Sequence, residues 1–139
     1  MKKTEINSSK IHSTMIIFYV TDQKRSAEFY ENVFEMKPVL DVPGMTEFRI
    51  SDSLSLGLMP GDGIKQLLGD AIEHPFMHGN STPRAELYLM VDDPQVWMDR
   101  AVKAGAEVVS PLSERDWGDL AGYMKDSDTN IIAFAKKLK

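Results

Sequence analysis

A chain of 139 residues has the length of one domain, and with 42% hydrophobic and 27% charged residues and no low-complexity tract it reads as a folded, water-soluble body. Acidic residues outnumber basic ones by 21 to 16, for a net charge of -5, and the lysines and arginines are scattered, which argues against a nucleic-acid partner whose phosphates call for a basic stripe. The absence of cysteine excludes disulfides, thiolate nucleophiles and thiolate metal sites, leaving oxygen and nitrogen groups to carry any chemistry.

Residues 1–12 read as a disordered polar tail, with two early lysines and no apolar stretch behind them. Met15-Ile-Ile-Phe-Tyr-Val20 is too short for a signal core or a membrane span, so a cytoplasmic protein with no membrane partner is expected. That run has strand composition and is followed by Thr21-Asp22, a helix N-cap pair. From Gln23 to Phe34 the apolar residues Ala27, Tyr30, Val33 and Phe34 form one buried stripe at helical spacing. Three strands are predicted next, at Val39–Val42, Thr46–Ser51 and Leu54–Met59, parted by Pro43-Gly44 and Ser51-Asp52-Ser53.

Pro60 to Pro83 is too long for a plain connector and holds a short helical stripe of Ile64, Leu67, Leu68 and Ile72; loops of this length usually cover a site. The first order of elements then returns. Leu87–Val91 reads as a strand, Asp93-Pro94 as N-cap and first helical residue, and Trp97, Met98, Ala101 and Val102 as the apolar stripe of a helix closed by Gly105, with Trp97 in the core. Glu107–Ser110, Gly122–Lys125 and Ile131–Ala135 complete a second set of strands. Val20-Thr-Asp22 recurs as Val91-Asp-Asp93 about 70 residues on, which marks an internal duplication carried by element order more than by identities.

The segment from Tyr19 to Phe34, Tyr-Val-Thr-Asp-Gln-Lys-Arg-Ser-Ala-Glu-Phe-Tyr-Glu-Asn-Val-Phe, resembles the strand-to-helix opening of the vicinal-oxygen-chelate superfamily, the glyoxalase, bleomycin-resistance and extradiol-dioxygenase group. Glu86-Leu-Tyr-Leu-Met-Val-Asp-Asp93, Ala104-Gly-Ala106, Arg115-Asp-Trp-Gly-Asp119 and Asp126-Ser-Asp-Thr-Asn130 resemble its second module. The resemblance spans Met15 to Phe134 and implies an α+β fold of two βαβββ modules forming a curled mixed sheet round a cleft. One domain is expected over 13–139, with module one at about 13–60, the loop at 60–83 and module two at about 84–136.

In metal-dependent members four strand positions supply the ligands, and the resemblance places them here at Met15, Gly57, Glu86 and Ala133. Of these Glu86 suits a hard divalent ion, whereas Gly57 and Ala133 carry no donor and a thioether suits soft ions, so neither a metal nor another cofactor is expected. Residues two apart on a strand share a face. Met15 therefore brings Ile17 and Tyr19, Gly57 brings Ser55 and Met59, Glu86 brings Tyr88 and Met90, and Ala133 brings Ile131 and Ala135, an apolar and aromatic lining with one carboxylate.

Glu86 is the candidate catalytic residue, against the alternative of a strand-end carboxylate paired with Arg84 or solvent. Tyr19, Met59, Tyr88, Met90, Trp117 and His74 are the candidate ligand-binding residues: Trp117 for its flat face at the cleft mouth, His74 for its place in the covering loop. His74 and His78 stand at helical spacing, but Pro75 biases His74 away from helix, so they read as a loop pair. Asp126-x-Asp128-x-Asn130 lacks the glycine of a calcium loop and reads as a turn. The expected function is binding of a small organic ligand by a homodimer; a lyase or isomerase using Glu86 in proton transfer and a structural or regulatory dimer with a vestigial cleft are the alternatives.

Overall fold

The computed structural model describes residues 10–79 and 82–139, so most of the expected N-terminal tail lies outside the described residues. Lys10–Ser13 form no helix or strand and are exposed. Strand β1 (Thr14–Val20) leads into helix α1 (Gln23–Phe34), then β2 (Leu40–Val42), β3 (Met45–Ser51) and β4 (Leu54–Pro60). Helix α2 (Gly61–Leu68) and a short 3₁₀ turn at Gly69–Ala71 follow. The second set is β5 (Glu86–Met90), α3 (Pro94–Ala104), β6 (Glu107–Glu114), β7 (Asp119–Lys125) and β8 (Ile131–Lys137).

Both long helices start where the sequence places an aspartate. A carboxylate oxygen of Asp22 accepts the backbone N–H of Arg25 at 3.0 Å, and Asp93 accepts that of Val96 at 3.4 Å, each satisfying a donor that the first turn would leave bare. Glu35 and Gly105 end them in the left-handed region, where glycine is at ease and glutamate is not.

Each module folds its strands into a four-stranded mixed sheet. The orders are β1-β4-β3-β2 and β5-β8-β7-β6, the same plan twice, with β1 and β5 parallel to β4 and β8 and the other pairs antiparallel. Alternation then sorts the faces. Phe18, Val20, Phe48, Leu56 and Leu58 of sheet one, and Leu87, Met124, Ile132 and Phe134 of sheet two, are buried against the helices. Their neighbours in sequence, Met15, Ile17 and Tyr19 or Glu86, Tyr88 and Met90, point to the opposite face.

The two modules meet through their helix sides, where α1 packs on α3 and the residues of both form one core cluster. Arg100 on α3 donates to the Val33 carbonyl at 3.0 Å, pairs with Glu35 at 3.4 Å and lies 4.6 Å over the Trp97 ring. Trp97 is partly buried and packs on Phe134, with centroids 5.7 Å apart. On the other side of the seam Tyr30, fully buried, donates its hydroxyl proton to Asp126. Asp128 accepts from the Thr21 hydroxyl at 2.7 Å, from the Thr21 amide at 3.3 Å and from Ser26 at 3.5 Å. Asp126 also accepts from the amides of Asp128 and Asn130, so the predicted turn is a turn whose carboxylates hold module one.

Two strands run longer than the sequence suggests by three or more residues. Strand β6, predicted to end at Ser110, continues through Pro111 to Glu114; it is an edge strand with an irregular register between Ser110 and Ser113, where a proline's missing N–H is tolerated. Strand β7 begins at Asp119, three residues before the predicted start at Gly122.

Candidate functional site

The faces turned away from the helices carry the candidate residues, divided between the sheets. On sheet one, Tyr19 and Met59 are cross-strand partners in the β1–β4 register, and Met15 and Ile17 share their face. On β2, Leu40 and Val42 stand opposite Glu47 and Met45 and extend the same surface. It is open: Met15 is 41% exposed and Ile17 and Tyr19 are each 39% exposed.

On sheet two, Glu86, Tyr88 and Met90 alternate along β5 with Glu86 exposed. Tyr88 and Tyr123 both stand beside Ala133, one from each neighbouring strand, over the fully buried alanines 121, 133 and 135. The Trp117 indole Nε1 donates to the Tyr88 hydroxyl at 2.9 Å, and that hydroxyl donates to Asp119 Oδ2 at 2.7 Å. Tyr88 and Trp117 are thus joined directly, while Tyr19 and Met59 lie on the other sheet, with no strand pairing between the two sheets. The indole N–H is already committed, so what Trp117 offers a ligand is its ring, 57% exposed.

Asp119 is the residue that sequence reasoning missed. Its side chain is almost wholly buried, and Lys137 Nζ lies 3.3 Å from Oδ1 as an ion pair, an oxygen that receives no hydrogen bond among the described residues. The Tyr88 hydrogen bond, aided by Lys137 and opposed by burial, holds the Asp119 carboxyl below its usual range. Tyr88 is pushed upward by burial and by Asp119, partly offset by the indole N–H, and so keeps its proton. Tyr123 is raised by burial and by the negative charges of Glu86 and Asp119, with Arg115 acting in the opposite direction. Arg115 lies 5.1 Å over the Tyr123 ring and donates to Ser110, Pro111 and Ala121, bracing the β6–β7 hairpin.

His74 lies in the covering loop. The Phe76 amide donates to Nδ1 at 3.1 Å, so the proton of the neutral ring is on Nε2, which meets Asp62 Oδ1 at 2.6 Å. His74 therefore ties the loop to the start of α2. The loop returns beside β1, where Pro75, Phe76 and Pro83–Ala85 wall a cleft of about 380 Å³ that includes Tyr19. His78 pairs with Glu73 at 3.2 Å on the exposed loop surface.

The family's metal does not fit the four positions. The space a side chain at Gly57 would fill is taken by Met15 Sδ and Met45 Sδ, 3.0 and 3.1 Å from an ideal Cβ, and Ala133 brings no donor atom. Among the described residues no three His, Asp or Glu side chains converge as ligands. Protein purified without chelator is expected to carry no stoichiometric Ni, Zn, Fe or Mn at these positions; elemental analysis finding one such ion per chain, lost in Glu86→Gln, would contradict this.

Comparison with known proteins agrees with this architecture. The family model described as "Glyoxalase/Bleomycin resistance protein/Dioxygenase superfamily" matches residues 10–134. An uncharacterized protein of Mycobacterium bovis is 31% identical over 110 residues, 77% of this chain and 71% of that protein. The crystal structure of a glyoxalase-related enzyme from Fulvimarina pelagi superposes with a TM-score of 0.76 at 22% identity, covering 91% of this chain and 88% of that one. A glyoxalase/bleomycin resistance protein/dioxygenase family enzyme from Burkholderia phytofirmans PsJN gives 0.75 at 16% identity, covering 89% and 97%. No helix among the described residues is long and apolar enough to cross a membrane. The chain belongs to the glyoxalase/bleomycin resistance protein/dioxygenase superfamily.

Proposed function

We propose that this single-domain chain binds a small organic ligand without the family's divalent metal, on the open face of sheet two, and does so as a cytoplasmic homodimer that covers the exposed sheet faces. The observation that carries this reading is the Trp117–Tyr88–Asp119 chain of hydrogen bonds, which sets an exposed indole and a phenol side by side over a floor of small residues. Flat apolar surface with a few fixed polar groups is what a small-molecule site consists of. Met90 and Glu86 flank Tyr88 on the same strand face, and Tyr19, Met59 and His74 belong to the apolar sheet-one wall and its loop.

Glu86 is exposed in the single chain, so its replacement carries little folding cost. Glu86→Gln is expected to leave the melting temperature within about 2 °C of the parent while changing the affinity for a co-purifying ligand, or its pH dependence, severalfold. Native mass spectrometry of the purified protein followed by calorimetry with the released ligand reads both. Strong destabilisation with unchanged binding would remove Glu86 from the site. A lyase or isomerase with Glu86 in proton transfer would instead return the ligand chemically altered, with turnover abolished in Glu86→Gln.

A further inference from the structure

The hydrogen-bond chain on sheet two has a fixed polarity. An indole nitrogen can only donate, and an ionised carboxylate can only accept. Asp119 stays ionised because the Tyr88 hydroxyl and Lys137 favour its charged form, and a group shifted in this direction holds its partner from neutral pH down through the ordinary carboxylate range, releasing it only as pH falls through the lowered value. Tyr88 stands between the two, accepting from Trp117 Nε1 at 2.9 Å and donating to Asp119 Oδ2 at 2.7 Å. A phenol oxygen has one proton and two lone pairs. The proton and one lone pair are used, and one lone pair remains.

The neighbouring donors are spoken for in the same way. Lys137 is paired with Asp119, and Arg115 is spent on Ser110, Pro111 and Ala121. Glu86, two residues before Tyr88 on the same strand face, adds exposed carboxylate oxygens. Tyr88 and Tyr123 flank Ala133, Arg115 lies over the Tyr123 ring, and the indole of Trp117 is exposed beside Tyr88. Ring faces are therefore presented next to acceptor oxygens.

Building on the proposed ligand face, we infer that Asp119 is a positioning residue that locks the Tyr88 hydroxyl as an acceptor, so that the site selects flat aromatic ligands carrying an N–H or O–H donor. The donor meets the free lone pair of Tyr88, with Glu86 as a second acceptor, while the ring stacks on the aromatic side chains. Asp119 itself does not touch the ligand.

The test uses two probes of like shape, 2-naphthol and 2-methoxynaphthalene, titrated into the full chain and followed by calorimetry. The wild type is expected to prefer 2-naphthol by about tenfold, the size of one well-made hydrogen bond. Tyr88→Phe and Asp119→Asn should both bring the ratio down to about threefold or less, the second because an amide can donate to Tyr88 and free the phenol proton. Trp117→Phe should weaken both probes and keep their ratio, since the Tyr88 proton still points at Asp119. In ligand-free protein the Trp117 indole proton resonance should move in Asp119→Asn, a change that a merely structural Asp119 would not transmit through Tyr88. Equal binding of the two probes by wild type, or an unchanged ratio in folded Asp119→Asn, overturns the inference and leaves the ligand face standing. Binding of neither probe at millimolar concentration overturns the ligand face as well. Should Asp119→Asn fail to fold, the ratios of Tyr88→Phe and Trp117→Phe decide: loss in the first with retention in the second supports the lock, and any other combination removes it.

Discussion

Replacement of Asp128 by alanine is expected to lower the melting temperature by about 10 °C, corresponding to about 3 kcal/mol. The side chain is 2% exposed and takes hydrogen bonds from the amide and hydroxyl of Thr21 and from Ser26, with Arg25 at 3.9 Å. Truncation strands the buried Ser26 hydroxyl and removes the acceptor shared by the Thr21 amide and hydroxyl at the edge of the seam, and a stranded buried donor costs more than the net worth of the bond it loses. Asp128→Asn keeps the volume and some of the acceptors, so a loss of about half that size is expected. Thermal and urea unfolding of the three proteins checks the order; equal stability of wild type and Asp128→Ala would show that the seam is held by apolar packing alone.

Ile17→Asp is expected to abolish the proposed homodimer, raising its dissociation constant by at least about a hundredfold. Met15, Ile17, Tyr19, Leu40 and Val42 share one exposed sheet face, an apolar patch of a kind that soluble proteins usually cover. A carboxylate placed in its middle must be desolvated when the patch is buried, at several kcal/mol per copy. Because Ile17 points away from the helices, fold stability should hardly change. Sedimentation at several concentrations distinguishes the outcomes, and a wild-type mass equal to one 15.6 kDa chain throughout would refute the dimer itself.

Sequence reasoning reached the elements whose signals are local. Asp22 and Asp93 mark helix starts because a cap acts within three residues, and the strand faces follow from alternation along runs such as Met15–Val20. The reach of β6 beyond Ser110 was not legible, because whether a strand continues through Pro111 depends on its lying at the sheet edge, something only the pairing of β6 with β7 reveals. Asp119 was invisible for a related reason. It follows a glycine turn and reads as a polar loop end, while its partner Tyr88 stands 31 residues earlier and is brought near only by the order β5-β8-β7. Asp126 and Asp128 were legible as a turn and illegible as a clasp, since their partners Tyr30 and Thr21 are 96 and 107 residues away.

That separation along the chain bears on how the protein is made. When module one leaves the ribosome, the Tyr30 hydroxyl and the Thr21 and Ser26 side chains lack their protein acceptor, because the turn that receives them lies 96 to 107 residues further along the chain. Local hydrophobic contacts, among them the rings of Phe18, Phe29, Tyr30 and Phe34, can gather during translation, but the polar side of α1 must wait in water for some hundred residues more. The nascent first half is thus an unfinished unit by construction. The hydrogen bonds of this seam can form only once Asp126 and Asp128 have emerged, and a chain stopped before them leaves the donors of Thr21, Ser26 and Tyr30 to water.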